Sequence, residues 1–181
     1  MTSLRTPRLL LRRWRPDDVE AFVAMNADPE VMRYLAGPMT REASVDQLAR
    51  FEARFEEQGF GFWCVEVPGE TSCAGFTGLN VPRFHAPFMP CVEIGWRLTV
   101  PWWGKGIASE AARAVLDHAF STLALDEIVA FTTEANTRSR AVMARLGMTR
   151  DPADDFEHPN LSAGHELRRH VLFRMSRSHW P

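Results

Sequence analysis

The segment Val92–Ala119 constrains the fold more than any other part of the chain. Val92-Glu93-Ile94-Gly95-Trp96-Arg97-Leu98 alternates apolar positions with others, the period of a half-buried strand. Ala108, Ala111, Ala112, Val115, Leu116 and Ala119 then recur at helical spacing, with Ser109, Glu110, Arg113 and Asp117 opposite. That pattern predicts an amphipathic helix with one buried face. Between strand and helix lies Trp103-Gly104-Lys105-Gly106-Ile107-Ala108. A glycine-bearing turn leading into a helix N-terminus makes an anion cradle. The first-turn N–H groups have no partner inside the helix, and the macrodipole adds partial positive charge. Glycine removes the Cβ that would hold a phosphate off the backbone. The segment therefore predicts a site for a phosphate-bearing cofactor.

The spacing is not that of a P-loop, G-x-x-x-x-G-K-[ST]. Nor is it G-x-G-x-x-G, because Ser109 stands where the third glycine or alanine belongs. A second strand-to-helix unit follows. Asp126–Thr133 reads as a strand, Asn136 as the N-cap of the next helix and Gly147 as its C′ residue.

Together these two blocks resemble the GNAT acyltransferase superfamily. Gly106 and Ala108 fit the last two positions of its pyrophosphate loop, Gln/Arg-x-x-Gly-x-Gly/Ala, with Trp103 where Gln or Arg is usual. Asn136 to Leu146-Gly147-Met148 is similar to the family's N-x-x-[AS]…L-G-[FM]. Trp103-Gly104-Lys105-Gly106 resembles the RimJ/RimL-type branch, the ribosomal-protein N-terminal acetyltransferases and their relatives. So do Phe156-Glu157-His158-Pro159 and 167–174. The likeness is specific over about Val92–Met148. It implies one N-acetyltransferase domain over residues 1–181, of α/β (α+β) class. The sheet would be mixed, mostly antiparallel and splayed at the cofactor site, with helices on both faces. It implies acetyl-CoA as acyl donor, held at Trp96, Arg97, Leu98, Trp103, Gly104, Lys105, Gly106, Ile107, Ala108, Asn136 and Ser139. Backbone N–H groups near Leu98 would meet the thioester oxygen. Lys105, Arg138 and Arg140 lie near the two helix starts and could reach phosphates, though any helix surface carries such residues.

Acetyl transfer to an amine requires loss of the amine proton, stabilisation of an oxyanion, departure of a thiolate and in-line positioning. Glu93 is the first candidate base, because alternation sets it with Gly95 on the face away from the apolar set. The alternative is a salt bridge to an arginine such as Arg97. Glu134 is the second candidate, with a helix-dipole partner as its plainer role. Many family members place a tyrosine seven residues after the asparagine as general acid; here that position is Met143, and the chain's single tyrosine is Tyr34. Ser139 can hydrogen-bond a thiolate, or simply cap backbone. Trp102 and Trp103 either wall the site or fill core. No nucleophile motif such as G-x-S-x-G is present, so the reading is direct attack through a tetrahedral intermediate. The acceptor would be a primary amine, on a small molecule or a protein N-terminus. Asp28, Glu30 and Glu93 would suit a cationic one. A non-catalytic acyl-CoA-binding or sensing module is the rival class, and a phosphate-ligand domain unrelated to coenzyme A is a third.

The remainder is consistent with a globular chain of 181 residues, 45% hydrophobic and 24% charged. A net charge of −2 gives no electrostatic footprint for nucleic acid, and no apolar run approaches a membrane span. The start of the chain lacks a signal-peptide core, which predicts a cytoplasmic protein. Cys64, Cys73 and Cys91 lack zinc spacing, and the histidines lack HExxH spacing, so no metal is expected. Each cysteine falls in a strand-like segment. Earlier elements are a strand at Arg8–Trp14, a helix from Pro16 to Asn26, a short helix from Asp28 to Leu35 and a helix from Thr40 to Gln58. That last helix would bury Val45, Leu48, Phe51 and Phe55. A hairpin would join Phe60–Val67 to Cys73–Asn80, and the last strand would run over 167–176. The acceptor pocket would draw on Asp28–Met39, Pro82–Pro90 and the loop near Phe156. An exposed edge strand or tryptophan patch would permit a homodimer.

Overall fold

The computed structural model describes residues 3–181. One mixed sheet of eight strands organises it, in the order β1 (Leu4–Arg5), β2 (Leu10–Arg12), β3 (Phe62–Val67), β4 (Thr71–Asn80), β5 (Glu93–Leu98), β6 (Glu127–Thr133), β8 (Arg169–Ser176) and β7 (Phe156–Glu157). Every pairing is antiparallel except β5 with β6. Antiparallel neighbours can be joined by short turns, and the β3–β4 hairpin turns at 68–70. The single parallel pair needs a crossover, which α3 (Ile107–Ser121) supplies.

Helices cover both faces. On one face α3 and α4 (Thr137–Arg145) join a core containing Trp63, Val65, Leu79, Ile94, Leu98, Ile128 and Val171. The small residues Ala111, Ala112 and Ala119 are fully buried there, which lets α3 lie close on the sheet. Val115 and Leu116 are also fully buried, each worth about 1.5–3 kcal/mol. On the other face α1 (Val19–Ala27) and α2 (Arg41–Gln58) enclose Phe22, Met25, Leu48, Phe51, Phe62 and Phe76. Further along that face, the loop residues Phe84 and Phe88 pack with Phe131, Phe156 and Leu172 over β6 and β8.

Several boundaries differ from the sequence reading. Residues 29–36 form turns rather than a helix. The Asp28 carboxylate accepts from the N–H groups of Glu30 and Val31, a local alternative to a continuing helix, and Gly37-Pro38 closes the segment. A short 3₁₀ turn at Pro16–Asp18 precedes α1. The two-residue strands β1 and β7 are too short to show a period. Val45 is 41% exposed while Ser44 is buried, so the buried stripe of α2 is rotated from the apolar one. Cys64 and Cys73 lie buried in β3 and β4, whereas Cys91 precedes β5 in a loop.

Candidate active site

The sheet opens where β5 and β6 part. Their register contains one pair, Glu93 with Val129, closed by the Val129 N–H donating to the Val92 carbonyl at 3.0 Å. Beyond it β5 stays paired to β4 as far as Leu98, and β6 stays paired to β8 as far as Thr133. The facing edges are therefore left without a strand partner. The Thr99 N–H points back to the Ala74 carbonyl on β4 at 3.0 Å. Strand alternation then turns the Leu98 and Trp96 N–H groups the other way, into the gap. A cavity of about 1090 Å³ occupies this opening and reaches both faces of the sheet.

The turn before α3 forms one end of the cavity. Gly104 and Gly106 have φ of +72° and +78°, and Gly106 is the N-cap of α3. A Cβ at Gly104 would meet nothing within 4 Å, so the backbone here fronts open space. The Trp103 indole N–H donates to the Leu98 carbonyl at 2.8 Å, tying the turn to the end of β5. Arg8 braces it from behind, donating to the Lys105 carbonyl at 3.0 Å and to Glu110 at 2.6 Å. Arg138 sits 4.3 Å above the Trp103 ring, and Lys105 lies 4.7 Å from the Trp102 ring. Two helix N-termini meet at this end. Asn136 caps α4, its side-chain oxygen accepting from the Ser139 N–H at 3.2 Å, while its amide donates to Thr132 at 3.1 Å. Ser139 lines the cavity. Met143 also reaches it but is 1% exposed and packed in the core.

These features suit coenzyme A: an open glycine turn at a helix start for the diphosphate, and a gap lined by unpaired strand N–H groups for the chain that follows. Residues 8–149 match the family model of the acetyltransferase (GNAT) domain. The chain belongs to the GNAT acetyltransferase family. This GNAT domain is an acetyl-CoA-dependent N-acetyltransferase. It is 32% identical over 157 residues to the FsC-acetyl coenzyme A-N(2)-transacetylase of Aspergillus fumigatus, which covers 81% of this chain and 65% of the relative, a little under two thirds of that protein. A GNAT-family acetyltransferase from Bacillus anthracis superposes with a TM-score of 0.80 at 26% identity, covering 98% of this chain and 99% of its own. The ribosomal-protein-S5-alanine acetyltransferase from Vibrio fischeri shares the fold, with a TM-score of 0.78, 20% identity and all of both chains covered.

On the α1–α2 side of the GNAT gap stands Glu93. The Asn80 side-chain amide, directly opposite on β4, donates to its carboxylate. Burial pushes the Glu93 carboxyl up to about 7, against the Asn80 hydrogen bond and the charge of Arg54, which both pull it down. Its proton is therefore exchangeable near neutrality. Arg97 projects to the same face, over Phe76 at 5.1 Å, and donates to Asn26 at 2.5 Å. Burial draws its guanidinium down to about 10. Across the cavity His158 and His170 lie ring to ring at 4.9 Å among Phe84, Phe131 and Phe156. Burial holds both below the ordinary histidine value, and each is expected to be neutral near pH 7.

Most of the residues singled out in the sequence converge here. Glu93, Trp96, Arg97, Leu98, Trp102, Trp103, Gly104, Gly106, Ile107, Ala108, Asn136, Arg138 and Ser139 all line the cavity. Lys105 and Arg140 do not; Lys105 turns back over Trp102, and Arg140 donates to the Glu134 carbonyl at 3.0 Å. Glu134 also stays outside, its side chain exposed near Arg150 and Arg169 at 3.9 Å. Of the acids suggested for a cationic acceptor, Asp28 is spent on its own turn. Glu30 lies on the cavity but faces Arg138 at 3.6 Å. Tyr34 and His170 line the cavity as well. Arg8, Asn80 and Arg54 were not singled out. Arg8 lies far from the cradle in sequence, and the register that sets Asn80 against Glu93 spans a long loop. Among the described residues no group of three or more His, Cys, Asp or Glu could hold a metal ion, and no helix is long and apolar enough to cross a membrane.

Proposed function

We propose that this chain acetylates a primary amine by direct attack, with Glu93 as general base and Ser139 with the α4 N-terminus supporting the departing thiolate. When bound, acetyl-CoA supplies the acetyl thioester. The observation that carries the reading is the position of Glu93 at the apex of the splayed gap, with a carboxyl poised near pH 7. An α-amine has a pKa of about 8 and a lysine-type amine about 10.4, so either is largely protonated near neutrality and benefits from such a base. The Trp96 and Leu98 N–H groups are placed to receive negative charge that develops on the carbonyl oxygen. At the leaving side, an ordinary thiol pKa of about 8.5 makes a thiolate tolerable without a strong acid. A hydroxyl at a helix N-terminus adds a donor and a favourable dipole there. This is how the site works without the tyrosine that Met143 replaces.

For the acceptor, the Trp103–Gly106 turn supports the RimJ/RimL-type branch and hence a protein N-terminal α-amine. A small-molecule amine is the other candidate. Release of free thiol from acetyl-CoA, followed against a panel of amines and short peptides, tests the proposal. Turnover that requires an amine and is lost in Glu93→Gln supports it. Coenzyme A binding with no turnover, and a Glu93→Gln variant altered only in stability, would instead identify a non-catalytic acyl-CoA-binding module.

A further inference from the structure

The α1–α2 side of the cavity contains two buried polar atoms with no partner among the described residues, and they are of opposite kinds. Asn80 Oδ1 is an acceptor beside Glu93; Arg54 Nη1 is a donor. Both residues line the cavity. The other buried atoms without a hydrogen bond belong to Gln58, Arg140 and Arg168, which do not line it, and Arg168 Nε has Glu157 at 3.1 Å. Buried polar atoms are nearly always satisfied, so two on one cavity wall point to groups that a ligand brings.

The charge on that wall points the same way. Gln47, Arg50, Phe51 and Arg54 recur at i, i+3, i+4 and i+7 along α2 and all face the cavity. Arg97 faces it from β5. None of Arg50, Arg54 or Arg97 forms an ion pair among the described residues, and Arg97 has only the neutral Asn26. Burial lowers the Arg54 guanidinium and neighbouring Arg83 adds to it, while the more distant charges of Glu93 and Glu57 act the other way without bonding to it. Glu93, which also lines this wall, forms no direct salt bridge among the described residues and feels Arg54 only at longer range. A half-buried cation with no directly bonded anion is costly, so the structure leaves room at Arg54 for an anionic group of the substrate.

We propose that the acceptor is an amino-carboxylate: its amine is received by Glu93 and Asn80 Oδ1, and a carboxylate a few bonds away is anchored by Arg54. This rests on the acetyltransferase reading above and narrows its acceptor. A free amino acid and a peptide with an acidic residue near its N-terminus offer the same chemistry.

The test compares acid and amide pairs as acceptors: glutamate with glutamine, aspartate with asparagine, and N-terminal peptides carrying Glu or Gln at the second position. In the wild type kcat/KM favours the acid of each pair. In Arg54→Gln that preference falls by about ten- to a hundredfold, the worth of one charge-assisted hydrogen bond, while KM for acetyl-CoA stays unchanged. Arg54→Lys retains part of the preference. The free-amino-acid and peptide arms separate the two sources. Equal or better turnover of the amide, or of a diamine, overturns the proposal. So does an Arg54→Gln variant that keeps the acid preference. If no amine is turned over, the earlier reading fails, and calorimetry of glutamate against the coenzyme A-bound protein decides this one. Binding abolished in Arg54→Gln upholds the anchor, and no binding to the wild type refutes it.

Discussion

Replacing Glu93 by glutamine should lower activity and raise stability together. In the native protein burial holds this carboxyl near 7, against an ordinary value of 4.5. Between those two values the native state keeps a proton that the unfolded chain releases. The stability associated with the neutral acid is therefore complete below about pH 4.5, declines through the window and is gone above about pH 7. The displacement corresponds to at most about 3 kcal/mol of charge burial. Glutamine has nearly the same shape, can still meet Asn80 and never carries the charge. Its advantage in Tm should be absent near pH 4, grow with pH and level off above about 7, at a ceiling of roughly 6–12 °C for a chain of this size. Over the same range kcat/KM of the wild type should rise with an apparent pKa near 7, and the variant should lose about 10²–10⁴-fold with a flattened profile. Differential scanning calorimetry and thiol release at matched pH values read both effects. A variant that keeps the rise near pH 7, or loses less than tenfold, would place the base elsewhere. A Tm difference independent of pH would show that the carboxyl is not buried as described.

Three further outcomes follow from the same geometry. Gly106→Val forces a β-branched residue to a φ of +78°, with its Cβ 3.4 Å from the Arg8 guanidinium; KM for acetyl-CoA should rise at least tenfold, and a backbone cost of about 1–2 kcal/mol should appear in urea unfolding. Met143→Ala empties a site that is 1% exposed and should cost about 2–5 kcal/mol in the same unfolding experiment, with kcat in the surviving folded fraction near wild type because no proton passes through this side chain. The depressed His158 and His170 are neutral in the native state, so the unfolded chain takes up protons first as pH falls below about 6.5. The pair therefore loses stability on the acid side, and His170→Phe should show a shallower acid fall in Tm than the wild type, a comparison in which the opposite contribution of Glu93 cancels.

Local patterns in the chain were sufficient for the cradle and its two helices. Gly104 and Gly106, the alanine-rich stripe of α3, the Asn136 cap and Gly147 each reflect a backbone requirement that neighbouring residues fulfil. Strand alternation was likewise enough to turn Glu93 and Ile94 to opposite faces, since period two admits no other outcome once one face is apolar. Hydrophobic pattern placed Val45 wrongly, because α2 packs with Phe22 and Phe76 from elsewhere in the chain, and those partners select the stripe that is buried. The turn at 29–36 escaped the pattern because one aspartate side chain bonds the local backbone N–H groups in place of a continuing helix, while Val31 and Met32 still pack inward.

What the sequence determined by itself is therefore the glycine turn and helix start proposed to hold the diphosphate, where backbone geometry is fixed within a dozen residues. Only the tertiary structure assembled the proposed acceptor end. Glu93, Asn80 and Arg54 come from three elements, and their meeting depends on β4–β5 register and on the angle at which α2 crosses the sheet. No short-range rule encodes either quantity. The charge of a carboxylate or a guanidinium there is set by how much water the assembled fold excludes, and that is a property of the whole molecule.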